Sequence, residues 1–299
     1  MKEKKKILIT GGAGFVGSSL ADKLSQSEEN FVVIVDNLLT GDVSKVPDRP
    51  NVVFINSDVN SFDDISNIFY TFRFDYVFHY AAVVGVQRTL KHPLLVLDDI
   101  KGIKNVLKLS KNIGVKRIFF SSSSEVYGEP VEMPQNAQTT PLNSKLPYAI
   151  VKNVGEAFIR SFHQEYDLEY TIFRFFNTYG PKQSKDFVMS RFIAAALKGE
   201  DLTIYGDGLQ SRTFCYVSDN VDACAEIFMQ DAYVNDVLNI GSDKEITITR
   251  LASEIAATIG YKGQILFDPA MPDGAPRKLL DSSRMRATGW APETGLRDG

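Results

Sequence analysis

Cysteine, histidine and tryptophan are scarce in this chain: two, three and one among 299 residues. Cys215 and Cys224 stand nine apart and His79, His92 and His163 are scattered, so neither a disulfide framework nor metal-ligand spacing is present. A reducing cytoplasm and no bound metal are the expectations. No apolar run reaches the roughly 18 residues of a membrane span. Lys2-Glu3-Lys4-Lys5-Lys6 leads straight into Ile7-Leu8-Ile9 without the apolar stretch of a signal peptide, so a chain neither exported nor membrane-spanning is expected. An excess of one charge is missing too: 33 Lys and Arg against 37 Asp and Glu leave a net -4, with no global pull toward nucleic acid. Neither nucleic acid nor membrane is expected as a partner. Repeats and low-complexity segments are absent, and 44% hydrophobic with 23% charged residues excludes disorder and fits one large or two modest domains.

Apolar runs of strand length recur with helical stretches between them: Ile7–Ile9, Phe31–Val35, Val52–Ile55, Tyr76–Tyr80, Ile118–Ser121 and Tyr170–Phe175. Short, β-branched and nearly continuous, they read as strands buried on both faces of a parallel sheet. The expected fold is α/β, a Rossmann-type doubly wound sheet over residues 1–178. Phe15, Val16, Leu20 and Leu24 give the helix between the first two strands an inward stripe. Longer helices are predicted from Pro93 to about Asn112, before Gly114, and from near Pro147, carrying Ala149, Val154, Phe158, Ile159 and Phe162. They either cover the sheet or pair with a second copy of the chain. After Tyr179-Gly180-Pro181 the alternation breaks down, and a smaller C-terminal domain is expected over 179–299, with 214–260 packing partly back on the first.

Thr10-Gly11-Gly12-Ala13-Gly14-Phe15-Val16-Gly17 lies where the first strand turns into a helix, and Asp36 ends the next strand. Glycines let the backbone approach a pyrophosphate, which free N–H groups and the dipole of a helix N-terminus stabilise. A carboxylate at Asp36 accepts from adenosine ribose hydroxyls and repels a 2′-phosphate, pointing to NAD rather than NADP. A Gly-rich turn alone is equally a structural loop; strand, helix and acid together make the signal. Asp58-Val59, after the third strand, either meets the adenine or is a solvated loop aspartate capping a helix.

Tyr148 and Lys152, at i and i+4, share one helix face within reach of one ligand. A phenol is a poor base at neutral pH, but a nearby ammonium and a cationic nicotinamide favour its phenolate. The alternative is an ordinary surface pair. Ser121-Ser122-Ser123-Ser124-Glu125-Val126-Tyr127-Gly128 stands at the C-terminal end of a strand, where parallel sheets bind ligands. Ser123 is the candidate to hydrogen-bond a sugar oxygen; the alternative is a polar turn.

These motifs, with Asp36-Asn37, His79-Tyr80-Ala81-Ala82, Arg174-Phe175-Phe176-Asn177-Thr178-Tyr179-Gly180-Pro181 and Gln210-Ser211-Arg212-Thr213-Phe214-Cys215-Tyr216-Val217, resemble the extended short-chain dehydrogenase/reductases that modify nucleotide sugars, the NAD-dependent epimerase/dehydratase family. The resemblance runs from about Lys6 to Gly289. It implies Tyr148 as the base on the sugar 4-hydroxyl while hydride passes to NAD, Lys152 as the residue that holds the nicotinamide ribose and lowers the tyrosine pKa, and Ser123 as their third member. NAD-binding positions are then Gly11, Gly14, Phe15, Val16, Gly17, Asp36, Asn37, Asp58, Val59, Tyr80, Ala81, Ala82, Ser121, Tyr148 and Lys152. The nucleotide sugar falls to Ser123, Ser124, Glu125, Tyr148, Asn177, Arg191, Arg212, Arg277 and Lys278, the last four in a nucleotide-sugar-binding C-terminal domain; a guanidinium grips phosphate bidentately. A homodimer through the helices at 93–112 and 147–163 is implied as well.

Within that family Glu125 matters most: plain 4-epimerases usually carry a small residue or Thr there, whereas dehydratases and UDP-glucuronate decarboxylases carry Glu, an acid/base for C5 or C6. Ser124-Glu125 departs from the Asp–Glu pair of dTDP-glucose dehydratases. Val83-Val84-Gly85-Val86-Gln87-Arg88 departs from the Pro-Ala-Ser-Pro stretch of the decarboxylases. The tail Pro272-Asp273-Gly274-Ala275-Pro276-Arg277-Lys278-Leu279-Leu280-Asp281 looks most like GDP-fucose synthases, a slight tilt toward GDP over UDP. Asp99 stands where the family commonly has Asn. The expected activity is NAD-dependent oxidation of sugar C4 with overall epimerisation; a 4,6-dehydratase and a net C4 dehydrogenase are the alternatives, and a non-catalytic dinucleotide-binding protein is the reading from another class.

Overall fold

A computed structural model describes residues 4–129, 131–271 and 274–299, and the side chains of Val86 and Gln87 are not among its described parts. Lys2 and Glu3 of the N-terminal run, and Pro272 and Asp273 of the tail motif, therefore lie outside the described residues.

In chain order the elements are β1 (Lys5–Thr10), α1 (Phe15–Ser25), β2 (Asn30–Asp36), β3 (Val52–Asn56), α2 (Phe62–Phe72), β4 (Tyr76–His79), α3 (Val86–Lys91), α4 (Pro93–Ile113), β5 (Arg117–Ser123), α5 (Pro147–Tyr166), β6 (Glu169–Phe175) and β7 (Thr178–Tyr179). There follow α6 (Val188–Lys198), β8 (Leu202–Tyr205), β9 (Ser211–Thr213), β10 (Cys215–Tyr216), α7 (Val217–Met229), β11 (Asp236–Ile240), β12 (Glu245–Thr247), α8 (Ile248–Ile259), β13 (Ile265–Asp268) and α9 (Ser283–Arg286).

Seven strands form one parallel sheet in the order β11-β6-β5-β4-β1-β2-β3. All six apolar runs read as strands are in it, because residues such as Ile7, Leu8 and Ile9 are covered on both faces by helices. The chain leaves β1 toward β2 on one side and reaches β4 on the other. That reversal opens a crevice at the C-terminal ends of β1 and β4, where ligands of doubly wound sheets bind. Both long helices begin with proline at the first turn, and α4 ends at Gly114, whose φ of 76° closes it in the left-handed conformation.

Beyond β7, the strand β11 returns to the edge of the central sheet, in register from Asp236 against Thr171 to Ile240 against Phe175, and α7 packs on α1. The remaining short strands pair as β7–β10, β9–β12 and β8–β13. They surround a separate apolar cluster that includes Phe192, Leu202, Ile204 and Leu251.

Candidate active site

The turn after β1 is built from close backbone approaches. A Cβ at Gly11 would meet Ala81 N at 2.6 Å, and one at Gly17 would meet Gly11 O at 2.4 Å, so both positions need glycine. Gly14 is the N-cap of α1, and no side chain caps that helix; its first N–H groups are left for a ligand. Asp36 closes the turn from the other side: its carboxylate accepts from Ala13 N (3.0 Å) and Leu38 N (2.8 Å). A carboxylate has about four acceptor sites, so these two bonds orient Asp36 without exhausting it. Asn37 donates to Asp58 (3.3 Å), and Asp58 accepts from Asn60 N (2.8 Å). The cap of α2 is Ser61, not Asp58.

Across the crevice the strand ends are tied together. The Thr10 hydroxyl lies 2.8 Å from His79 Nδ1 and accepts from the amides of Tyr80 and Ala81, both at 3.2 Å. With two N–H donors on its oxygen, the hydroxyl proton goes to His79, whose ring burial keeps neutral by lowering its pKa to about 3. Backbone and side chain diverge at Tyr80: its hydroxyl turns away to Cys224 of α7 (3.4 Å), so only its main chain faces the crevice with Ala81 and Ala82.

Strand β5 and helix α5 bring the other expected group together. Lys152 donates to the Ser121 carbonyl (2.6 Å) and hydroxyl (3.3 Å), and its Nζ lies 5.0 Å from the Phe120 ring centroid and 5.8 Å from that of Tyr148. Ser123 accepts from Glu125 N at 3.2 Å, and its hydroxyl acts to lower the Tyr148 phenol. Burial nevertheless raises the phenol of Tyr148 well above its ordinary value, and the charges of Glu125 and Asp99 push the same way, against the Ser123 hydroxyl. In the ligand-free protein burial outweighs the other influences on this phenol. Burial lowers Lys152 itself to about 8.

One turn beyond Lys152 on the same helix face stands Glu156, a residue without a sequence signal of its own. It is fully buried and takes two parallel bonds from Arg174 (2.9 and 2.7 Å) and one from the Ser122 hydroxyl (2.6 Å). Arg174 also donates to Tyr127 (2.9 Å), whose hydroxyl donates to Asn239 of β11 (2.6 Å). This network locks the serine end of β5 to α5, β6 and β11. The Tyr148, Lys152, Glu156 spacing of four was the available clue.

On the substrate side, Glu125, in the 3₁₀ turn Ser124–Tyr127, pairs with the ammonium of Lys278 from the tail. Arg277 is drawn elsewhere: its guanidinium holds Glu245 of β12 bidentately (2.7 and 2.8 Å), and Glu245 also accepts from Ser211. Arg212 donates to the carbonyls of Ser211 and Ala275, both at 2.7 Å, fastening the tail beside β9. Asn177 donates to the Thr213 carbonyl (2.9 Å) and Arg191 stacks 4.0 Å over the Tyr205 ring. Glu125, Lys278, Tyr148 and Ser123 thus form one group, while Arg277 sits with Glu245.

A glycine-built turn, an uncapped helix N-terminus, an acid ending β2 and a buried Tyr–Lys–Ser set at one crevice are the parts of a dinucleotide-dependent carbinol oxidation site. Residues 7–241 match the NAD dependent epimerase/dehydratase family. The chain belongs to that family. It is 35% identical over 98% of its length, and 95% of the relative's, to a Methanocaldococcus jannaschii protein provisionally named UDP-glucose 4-epimerase. It is 34% identical to UDP-glucuronic acid decarboxylase 6 of Arabidopsis thaliana, over 98% and 86% of the two chains. The solved UDP-glucose 4-epimerase of Thermotoga maritima, bound to UDP-glucose, superposes with a TM-score of 0.92 at 32% identity, covering 98% and 96%. The protein is an NAD-dependent enzyme of this family, and the uncapped turn of α1 fits the cofactor. Among the described residues no helix is long and apolar enough to cross a membrane, and no group of three or more His, Cys, Asp and Glu is placed to hold a metal.

Proposed function

We propose that this enzyme is a UDP-sugar 4-epimerase: it oxidises C4 of the sugar and returns hydride to the opposite face. The observation that carries this reading is the Glu125–Lys278 ion pair beside Tyr148. The groups for C4 oxidation are assembled, while the carboxylate suited to removing a C5 proton, as a dehydratase requires, is neutralised by an ammonium. A paired carboxylate is a weaker base than a free one.

Bound NAD supplies the hydride acceptor. The amides at Gly11, Gly14, Phe15, Val16 and Gly17 cradle its pyrophosphate, Asp36 takes the adenosine ribose, and Asn37, Asp58 and Val59 frame the adenine. Ala81, Ala82, the Tyr80 main chain and Ser121 flank the nicotinamide side. Lys152 holds the ribose there, Tyr148 removes the C4 hydroxyl proton, and Ser123 hydrogen-bonds the same oxygen. Because burial keeps Tyr148 protonated in the ligand-free chain, its ionisation is tied to loading of the site, when positive charge gathers beside it.

Residues 1–178 then serve the cofactor and 179–299 the nucleotide sugar, apart from the returning α7 and β11. Ser124, Asn177, Arg191, Arg212 and Lys278 are proposed as the substrate-binding set, with Arg277 holding the tail through Glu245. Uridine is proposed as the base because the relatives described above carry UDP in their names; the tail's resemblance to GDP-fucose synthases finds no such support. Exposed Leu94 and Leu97 on α4 and Ile150 on α5 support a homodimer through those helices, which light scattering tests.

The deciding experiment incubates the purified enzyme with UDP-glucose, UDP-galactose, UDP-N-acetylglucosamine and UDP-glucuronic acid, reading products by proton NMR and mass. Unchanged mass with inverted C4 supports the proposal. Loss of water, loss of carbon dioxide, or accumulation of reduced cofactor with a 4-keto product would replace it with a dehydratase, a decarboxylase or a dehydrogenase.

A further inference from the structure

The tail that carries Lys278 is pinned on both sides of that residue. Ser211 of β9 brackets Arg277: its amide donates to the Pro276 carbonyl (2.9 Å) and its carbonyl accepts from Lys278 N (3.3 Å). Gln135, in the segment between the 3₁₀ turn and α5, brackets Leu280 in the same way, donating to the Leu279 carbonyl (2.7 Å) and accepting from Asp281 N (2.8 Å). Leu280 is buried in one apolar cluster with Val126 and Tyr127, the two residues that follow Glu125. Neighbouring side chains of an extended strand point to opposite faces, so a slip of one residue against Gln135 would turn Lys278 away from Glu125.

Gln135 is itself held by a directed chain of hydrogen bonds. Its carbonyl can only accept, so the Asn239 atom that faces it is the donor Nδ2 (2.8 Å). Asn239 Oδ1 is thereby left to take the Tyr127 proton (2.6 Å), and the Tyr127 oxygen accepts in turn from Arg174 (2.9 Å), which has donors alone. Arg174 is fixed at the head of the chain by its buried ion pair with Glu156. Asn239, Tyr127 and Gln135 are all buried, so each depends on the next for its partner.

We propose that Asn239 is a positioning residue for Lys278: its amide fixes the Gln135 main chain, Gln135 fixes the register of the tail, and the tail sets the ammonium on Glu125. Without that amide, Lys278 leaves Glu125 and the carboxylate beside Tyr148 is freed. The consequence for the chemistry rests on the reading of Glu125 as a carboxylate neutralised by its partner, but the placement of Lys278 is a property of the ligand-free chain and is measured there.

The test compares Asn239→Leu with the parent by competitive amine labelling of the nucleotide-free protein, reading the Lys278 peptide by mass spectrometry. The expected result is labelling of Lys278 at least about tenfold faster in the variant, the order carried by loss of one buried hydrogen bond, with exposed Lys104 of α4 labelling alike in both. An unchanged Lys278 rate overturns the proposal, because an Asn239 that merely stabilises β11 leaves the native tail in place. A double-mutant cycle on kcat/KM gives the second readout. Asn239→Leu should cost several-fold in the parent and nothing further once Lys278 is Met; fully additive losses refute the proposal. Should Asn239→Leu not fold, Tyr127→Phe cuts the same chain one bond earlier and keeps the ring, and an unchanged Lys278 rate there is equally fatal. Products lighter by one water from the parent enzyme would instead refute the epimerase reading and leave the labelling result to decide the role of Asn239.

Discussion

The Lys278 ammonium reaches across 153 residues of chain to the Glu125 carboxylate. Lys278 is 7% exposed and Glu125 38%, so the cation is the more deeply committed partner. Replacing Lys278 with Met leaves a half-solvated carboxylate unpaired beside Tyr148. The expected cost is about 1–2 kcal/mol, less than the roughly 3–5 kcal/mol of a fully buried broken pair, because water compensates part of it. Urea denaturation checks the value, and product masses from the same variant should include a species lighter by one water as the released carboxylate becomes a base.

Tyr148→Phe removes the hydroxyl proposed as the base and keeps the ring. Turnover should fall by about 10²–10⁴-fold, the range for loss of a positioned acid/base. NAD content after purification should be that of the parent protein; unchanged turnover would remove Tyr148 from the mechanism.

Glu156→Ala strands the Arg174 guanidinium, 2.7 Å from its carboxylate partner and with both side chains buried. An uncompensated buried charge costs about 3–5 kcal/mol. Chemical denaturation should register that loss, and Ser122, deprived of its acceptor, should leave the adjoining serines less well held and turnover lower.

The stability of the nucleotide-free protein should carry the imprint of Asp99. Its folded pKa of about 6 lies above the ordinary aspartate value of 3.8, so between about pH 4 and 6 the native state binds a proton that the unfolded chain does not. Stability from this group therefore falls as pH rises through that window, by up to about 3 kcal/mol if the shift is fully expressed. Lys152 has the opposite sign: lowered from 10.5 to about 8, it gives stability that rises with pH above about 8. Denaturation midpoints across pH should show the acidic slope in the parent protein and lose its Asp99 component in Asp99→Asn.

Gly17→Ala would set a Cβ 2.4 Å from Gly11 O and 2.9 Å from Gly12 Cα. Backbone rather than a flexible side chain must yield, so the turn opens. NAD affinity, measured by calorimetry on stripped protein, should weaken by at least about tenfold, equivalent to about 1.4 kcal/mol.

Much of the site was legible along the chain because its groups are local. The glycine turn and Asp36 belong to consecutive elements, and Tyr148 and Lys152 share a helix face, so spacing alone announces them. Arg277 shows where that reasoning stops: neighbouring Arg277 and Lys278 look alike in sequence, yet one is held by Glu245 and the other by Glu125. Glu156 had only its spacing from Tyr148 and Lys152 to mark it, and its role emerges once Arg174 and Ser122 are opposite it.

Continuous apolar runs separated by helical stretches determined the parallel sheet by themselves, since strands so patterned must be covered on both faces. The turn chemistry after β1 determined where a dinucleotide belongs. Which charges are paired was decided only in three dimensions: Glu125 against Lys278, Glu156 against Arg174. Each joins segments far apart in the chain, and the energy of a charge depends on burial and on the distance to its partner, quantities that exist only after the sheet has brought those segments together.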